Sequence, residues 1–102
     1  MKNTIEATIF KEYFMKSFNK LETNTKRLFY TKIEILETND YISKKLNMRE
    51  NNIEFRCFRI GKFRFIYVLE ETRAIFLDVM YREKDYKHNY MDKLLGVYKH
   101  GN

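Results

Sequence analysis

Three consecutive segments with the composition of β-strands constrain the fold of this 102-residue chain more than any other feature. They are dense in Phe, Ile, Val and Tyr, and they cover Ile53 to Ile60, Lys62 to Leu69 and Arg73 to Tyr81. Two tight turns separate them, one at Gly61 with Lys62 and one at Glu70 to Thr72. Because connections this short favour antiparallel neighbours, the sequence predicts a meander of three strands.

The residues on either side of the meander show the spacing of helices and of one further strand. The predicted elements are a strand over Thr4 to Phe10, a helix over Lys11 to Leu21, a second helix that ends near Asn39 and Asp40, a polar connection over Tyr41 to Asn52, and a C-terminal helix over Asp85 to Tyr98. Thr23 or Asn24 is predicted to cap the second helix by accepting hydrogen bonds from its free N–H groups.

The predicted order β-α-α-β-β-β-α belongs to the α+β fold class, with helices packed on one face of an antiparallel sheet. Strand alternation assigns one set of side chains to the helix-covered face: Phe63, Phe65, Tyr67 and Leu69. Arg64 is then predicted to lie on the opposite, open face with Ile66 and Val68. No repeat or linker interrupts the chain, so residues 1–102 are predicted to form a single domain.

The net charge of +6 favours an anionic partner, although a Lys-rich codon usage would produce the same excess. The single cysteine, Cys57, cannot form an intramolecular disulfide and lacks companions for a metal site, so we expect core packing at this position and no metal or cofactor. No segment approaches the ~20 apolar residues of a membrane span. We therefore expect a soluble, cytoplasmic protein with no membrane partner.

The positive charge concentrates around the first tight turn. Residues 56–64 (RCFRIGKFR) hold no acidic residue and four cations, which are Arg56, Arg59, Lys62 and Arg64. Since like charges repel, an anion site is one reason for such a cluster. The alternative is a solvated hairpin whose arginines pair with Glu54, Glu70 or Glu71.

A second basic element follows the last predicted strand. Arg82 comes directly after that strand, and Tyr86 lies four residues further on. Two arginines and a tyrosine around one basic surface suit RNA, because the cations bind the backbone and the ring can stack on a base.

Both elements resemble motifs of the RelE/ParE superfamily of toxins, which belong to type II toxin–antitoxin systems. Arg59 to Tyr67 (RIGKFRFIY) is similar to R-x-G-x-[YF]-R-x-x-Y, and Arg82 to Tyr86 (REKDY) is similar to R-x-x-x-Y. The resemblance spans about residues 4–90 and implies two N-terminal helices packed on an antiparallel sheet. For the RelE and HigB branches it implies a ribosome-dependent endoribonuclease that cleaves mRNA, a cognate antitoxin as partner, and contact of the toxin–antitoxin complex with operator DNA.

The resemblance also implies roles for individual residues. Arg64 would contact the scissile phosphate, Arg82 would stabilise or protonate the leaving 5′-oxygen, and Tyr86 would stack on the nucleotide. Further RNA contacts would come from Arg56, Arg59, Lys62 and Lys84. RelE-type enzymes also carry basic side chains on the strand before the hairpin, and the register of that strand is open by one residue here.

Three points stay open in the sequence. The general base is not readable, and its candidates are Lys62, Glu54, Glu83 and His88. Ile53 to Arg56 (IEFR) is similar to the E-[LF]-R of HigB-like relatives, so the branch is undecided. Two alternative functions use the same charge: a ParE-like toxin that inhibits DNA gyrase by protein contact, and a non-catalytic basic nucleic-acid-binding module.

Overall fold

A computed structural model describes residues 5–38, 44–50, 53–81 and 90–100. Its elements in chain order are β1 (Ala7–Phe10), α1 (Glu12–Phe18), α2 (Thr23–Thr38), β2 (Lys44–Glu50), β3 (Ile53–Ile60), β4 (Phe63–Glu70), β5 (Arg73–Tyr81) and α3 (Tyr90–His100). The strands in the described residues form one sheet in the order β1-β5-β4-β3-β2. β1 is parallel to β5, and the other neighbours are antiparallel. The fold class is α+β, as the sequence predicts.

The predicted meander is confirmed to within a residue at each strand end. Ile60 pairs with Phe63 across the first two-residue turn, and Glu70 pairs with Arg73 across the second. Gly61 has a φ of +56°, a left-handed conformation that glycine adopts at little cost. The short turns therefore fix the register of all three central strands.

The structure differs from the prediction in the segment after α2 and at the start of α2. The segment expected to be a polar connection contains β2, which pairs with β3 at the edge of the sheet. Its sequence, KKLNMRE, is mostly polar, and an edge strand tolerates such residues because it is solvated on one side. Thr23 is already helical, and the N–H of Lys26 donates to the carbonyl of Glu22, so α2 begins earlier than a cap at Thr23 or Asn24 would allow. The predicted helix start at Asp85 lies outside the described residues.

A helical layer covers each face of the sheet. On one face α1 and α2 bury an aromatic core with the central strands, in which Phe29 contacts the rings of Phe14, Phe18, Phe58, Phe65 and Phe76. On the other face α3 contributes Leu94, Leu95 and Val97 to a second core with Phe55, Cys57, Ile66, Val68, Ile75, Leu77 and Met80. The prediction that all helices pack on one face is therefore wrong. Apolar side chains on both faces of the central strands require cover on both sides.

A bulge in β5 changes which side chains face α3. Ile66 pairs with Asp78, but its neighbour Tyr67 pairs with Phe76, so Leu77 is an additional residue in β5. Leu77 packs in the α3 core, and Asp78 lies opposite Ile66, which belongs to the same core. After the bulge the alternation resumes, with Val79 packed against the α1–α2 core and Met80 buried in the α3 core.

Candidate functional site

Two arginines face each other at the turn end of the β3–β4 hairpin. Arg59 and Arg64 are directly opposite, one residue from the pair that closes the turn. Alternation places Arg59 on the same side as Cys57, and Arg64 on the same side as Ile66, so both lie on the α3 side of the sheet. Arg59 is exposed and Arg64 is half-buried. Like charges in this position repel, which raises the local positive potential and favours an anion there.

The face that carries Arg64 is not the open surface that the sequence predicts. Ile66 and Val68, on the same strand and the same side, are buried in the α3 core. Arg64 continues this row at the turn end of β4, where its partner on β5 is Met80. The cationic surface is therefore confined to the hairpin end, and it does not extend along the strand.

Arg56 lies on the other face of the sheet. Its cross-strand partner is Tyr67, which belongs to the α1–α2 core. Its Nη1 donates to Oε2 of Glu54 over 2.5 Å, and the two side chains are only 14% and 23% exposed. Burial lowers the pKa of Arg56, but the hydrogen bond to Glu54 and the charges of Tyr67 and Glu54 outweigh it, so the net pKa is raised. The pairing alternative is thus realised for Arg56, and the structure does not bring it together with Arg64.

This geometry also settles the register of β3. On the Arg64 side the strand presents Phe55, Cys57 and Arg59. Phe55 and Cys57 are buried beneath α3, as expected of a cysteine that serves core packing. The strand before the hairpin therefore supplies one cation to the Arg64 side, where the resemblance implies several.

Lys62 lies in the turn and is exposed. Its Nζ is 5.7 Å from the ring centroid of Phe63 and 5.8 Å from that of Tyr81. Phe63 packs against the α1–α2 core, so this contact is on the side of the sheet away from Arg64. The sequence predicts Tyr81 only as the end of a strand. The face of the sheet on which its ring lies depends on the bulge in β5, which the sequence does not reveal.

The second basic element, with Arg82, Lys84 and Tyr86, lies outside the described residues. The candidate bases Glu83 and His88 lie outside them as well. The strand that leads to them is described to its last residue, Tyr81. Met80, the β5 partner of Arg64, precedes Arg82 by two positions in the sequence. The roles of Arg82 and Tyr86 stay predictions.

No protein-family model matches the chain, and no curated protein matches it. Several solved structures match it. The RelE–RelB complex from Pyrococcus horikoshii OT3 is 19% identical, with a TM-score of 0.64 over 80% of this chain and 99% of that one. The chain has the RelE fold. The RelB–RelE complex from Methanococcus jannaschii is 20% identical, with a TM-score of 0.62 over 78% of this chain and 96% of that one. Isolated Escherichia coli RelE is 17% identical, with a TM-score of 0.55 over 88% and 96%.

The RelE fold confirms the structural part of the resemblance. In the described part of the chain, two helices follow the first strand and pack on the sheet that holds the hairpin motif. No helix among the described residues is long and apolar enough to cross a membrane.

Proposed function

We propose that this chain is the toxin of a toxin–antitoxin pair and acts as a ribosome-dependent endoribonuclease on translated mRNA in the cytoplasm. The observation that carries the proposal is the RelE fold, in which the sequence motif sets Arg59 and Arg64 opposite each other at the hairpin end. RelE–RelB complexes with this fold support a cognate antitoxin as partner. By the resemblance, the complex with the antitoxin would also contact operator DNA.

In the proposed reaction the 2′-oxygen of the RNA attacks the adjacent phosphorus and loses its proton to a base. The bond from phosphorus to the 5′-oxygen breaks, and that oxygen takes up a proton. Arg64 supplies fixed positive charge to the phosphorane as negative charge develops, because a guanidinium stays protonated. Arg82 would do the same at the leaving oxygen, and Tyr86 would hold the nucleotide by stacking.

The geometry narrows the choice of general base. Glu54 holds Arg56 in an ion pair on the face away from Arg64, which argues against a role in proton abstraction. Lys62 contacts two rings on that same side of the sheet. Glu83 and His88 follow β5 in sequence, outside the described residues, and they stay candidates from the sequence alone.

The test of this proposal is expression of the chain in bacteria, with growth and the 5′ ends of cellular mRNA measured together. We expect growth arrest and new 5′ ends within translated regions for the wild type. Arg64→Ala and Arg82→Ala should each lose both effects, and Arg27→Ala, at an exposed position on α2, is the matched control. Equal toxicity of the folded double variant Arg64→Ala/Arg82→Ala would refute the catalytic role of this pair.

One observation favours a second candidate, a ParE-like toxin that inhibits DNA gyrase by protein contact. Phe55 and Cys57 are buried at the β3 positions on the Arg64 side, so this side has fewer cations than the resemblance to RelE-type enzymes implies. The same expression experiment separates the two candidates. Growth arrest with DNA damage and intact mRNA would support the gyrase inhibitor.

The antitoxin is proposed to be an acidic protein with a partly disordered segment that becomes ordered on the basic toxin. Charge complementarity with a net charge of +6 supports this choice. The product of a neighbouring small acidic reading frame should co-purify with this chain and restore growth. Failure of such a neighbour to do either would count against the toxin–antitoxin proposal.

A further inference from the structure

Among the large hydrophobic side chains whose burial the structure describes, Tyr81 is the most exposed. It is 58% exposed, compared with 50% for Tyr30 and 40% for Leu28. A single exposed ring is ordinary in itself. The neighbours of Tyr81 distinguish it, because they combine a second ring with positive charge at the end of the basic hairpin.

Phe63 supports the Tyr81 ring from one side. The two residues are directly opposite in β4 and β5, their ring centroids are 5.3 Å apart, and the planes are inclined by 33°. Phe63 itself packs against the α1–α2 core, so its position is fixed. The Tyr81 ring therefore rests on a rigid base and keeps more than half of its surface available.

Lys62 adds a cation to the two rings. Its Nζ lies within cation–π distance of both, at 5.7 Å from Phe63 and 5.8 Å from Tyr81. The ammonium group is exposed, so it can also meet a phosphate attached to a base that covers Tyr81. A ring beside a cation is the combination with which proteins bind single-stranded nucleic acid.

At the hairpin end, the cluster of Lys62, Phe63 and Tyr81 lies on one side of the sheet. The two arginines, Arg59 and Arg64, lie on the other side. Phe63 and Arg64 are successive residues, with Cα atoms ~3.8 Å apart, and their side chains point to opposite faces. A flexible single strand that crosses the hairpin end could place a phosphate near Arg59 and Arg64 on one side and a base further along the strand on Tyr81. A rigid duplex could not turn through this path.

We propose that Tyr81, supported by Phe63 and Lys62, is a stacking site for one base of single-stranded RNA. This inference rests on the proposed function and specifies how the hairpin holds its substrate. The ring supplies a sequence-tolerant surface, and Lys62 neutralises the phosphate of the stacked nucleotide.

The test uses the full chain and single-stranded 12-nucleotide RNAs that carry one 2-aminopurine at successive positions, at low salt. Fluorescence anisotropy reports binding, and quenching of 2-aminopurine reports stacking. We expect Tyr81→Ala to weaken binding at least about fivefold and to reduce the quenching that binding causes. Tyr81→Phe should retain both, because the ring and not the hydroxyl stacks. Tyr81→Leu keeps the bulk without the aromatic face and should behave like Tyr81→Ala.

Tyr30→Ala is the matched control, since Tyr30 is an exposed tyrosine on α2 that contacts Phe18 and Phe29. It should change neither signal. A wild-type chain that binds none of these RNAs and cleaves no mRNA would overturn the proposed function together with this site. RNA binding that depends on Arg64 but is unchanged in Tyr81→Ala and Tyr81→Leu would overturn the stacking site alone. The stacking site would also be overturned if these two variants lost only antitoxin binding, because Tyr81 would then contact the antitoxin and not RNA.

Discussion

Tyr90, the first residue of α3, donates a hydrogen bond of 2.5 Å to the carboxylate of Asp78 in β5. Asp78 is only 5% exposed, and its other oxygen accepts a bond of 2.8 Å from the N–H of Val79. At the other end of α3, the hydroxyl of Tyr98 contacts Glu70 at the end of β4. The helix that covers the Arg64 side of the sheet is thus tied to the sheet near both of its ends.

We expect Tyr90→Phe to lower the free energy of unfolding by about 1.5–3 kcal/mol, because it removes a hydrogen bond to a buried carboxylate. Urea unfolding followed by circular dichroism measures this difference. Tyr30→Phe is the control, since its hydroxyl is on an exposed side chain, and it should leave the midpoint unchanged. An unchanged midpoint for Tyr90→Phe would show that this bond does not stabilise the fold.

The Cys57 thiol should report whether α3 stays on the sheet. It is 4% exposed beneath the helix, so we expect a thiol reagent such as DTNB to react slowly with the folded chain. Tyr90→Phe should accelerate the reaction, since it weakens the attachment of α3. Both chains should react equally fast in concentrated urea. A wild-type rate that is the same with and without urea would contradict the covered position of Cys57.

Lys93 on α3 should make stability depend on alkaline pH. Its pKa is raised above the ordinary value of 10.5, chiefly by its contact with Tyr13, whose ring centroid lies 4.9 Å from Nζ, and also by the charges of Tyr13 and Asp78, against an opposing effect of burial. A folded-state pKa above the unfolded value stabilises the fold below pH ~10.5, and this contribution is lost as the pH rises through the folded-state pKa. At pH 7 the wild type should therefore have a higher melting temperature than Lys93→Met, and this gap should shrink only as the pH rises above ~10.5. A gap that is constant with pH would exclude this charge effect.

The central meander was predictable because its turns leave no freedom in register. Two-residue connections at Gly61–Lys62 and Glu71–Thr72 fix the pairing of β3, β4 and β5, and alternation then assigns Arg64 to its face. Features that depend on contacts distant in sequence were not predictable in this way. β2 has a polar sequence, and its strand conformation depends on hydrogen bonding to the edge of β3. α3 packs on the face of the sheet that α1 and α2 leave uncovered.

The site was predictable only in part for the same reason. The alternation of side chains along β4 was enough to predict the face on which Arg64 lies. The four cations of the hairpin do not share that face, because Arg56 and Arg59 are three residues apart in β3 and point to opposite sides of the sheet. The bulge at Leu77 shifts the rest of β5 by one residue and so places Tyr81 beside Phe63. Neither Gly nor Pro marks this bulge in the sequence, which left no local signal for it.

Glycine should be favoured at the left-handed position of both hairpin turns, so introducing it at residue 71 and removing it at residue 61 should have opposite effects on stability. Glu71 has a φ of 55°, which is strained for a residue with a Cβ atom, and Gly61 has nearly the same φ of 56°. We expect Glu71→Gly to stabilise the fold by up to ~1 kcal/mol, reduced by the greater freedom of glycine in the unfolded chain. Gly61→Ala should destabilise it by ~1 kcal/mol, purely through the backbone, because no atom lies within 4 Å of the added Cβ. Thermal unfolding measures both, and changes of the same sign would contradict this account.

The salt dependence of RNA binding should show which cations meet phosphates. Each phosphate neutralised on a single strand contributes about 0.7 to the slope of log K against log salt. If Arg59 and Arg64 each hold one phosphate, Arg59→Ala and Arg64→Ala should each reduce the slope by about 0.7. Arg56→Met should leave it unchanged, because Arg56 is held by Glu54 on the opposite face. A slope that falls with Arg56→Met and not with Arg64→Ala would place the phosphate contacts on the α1–α2 side of the hairpin.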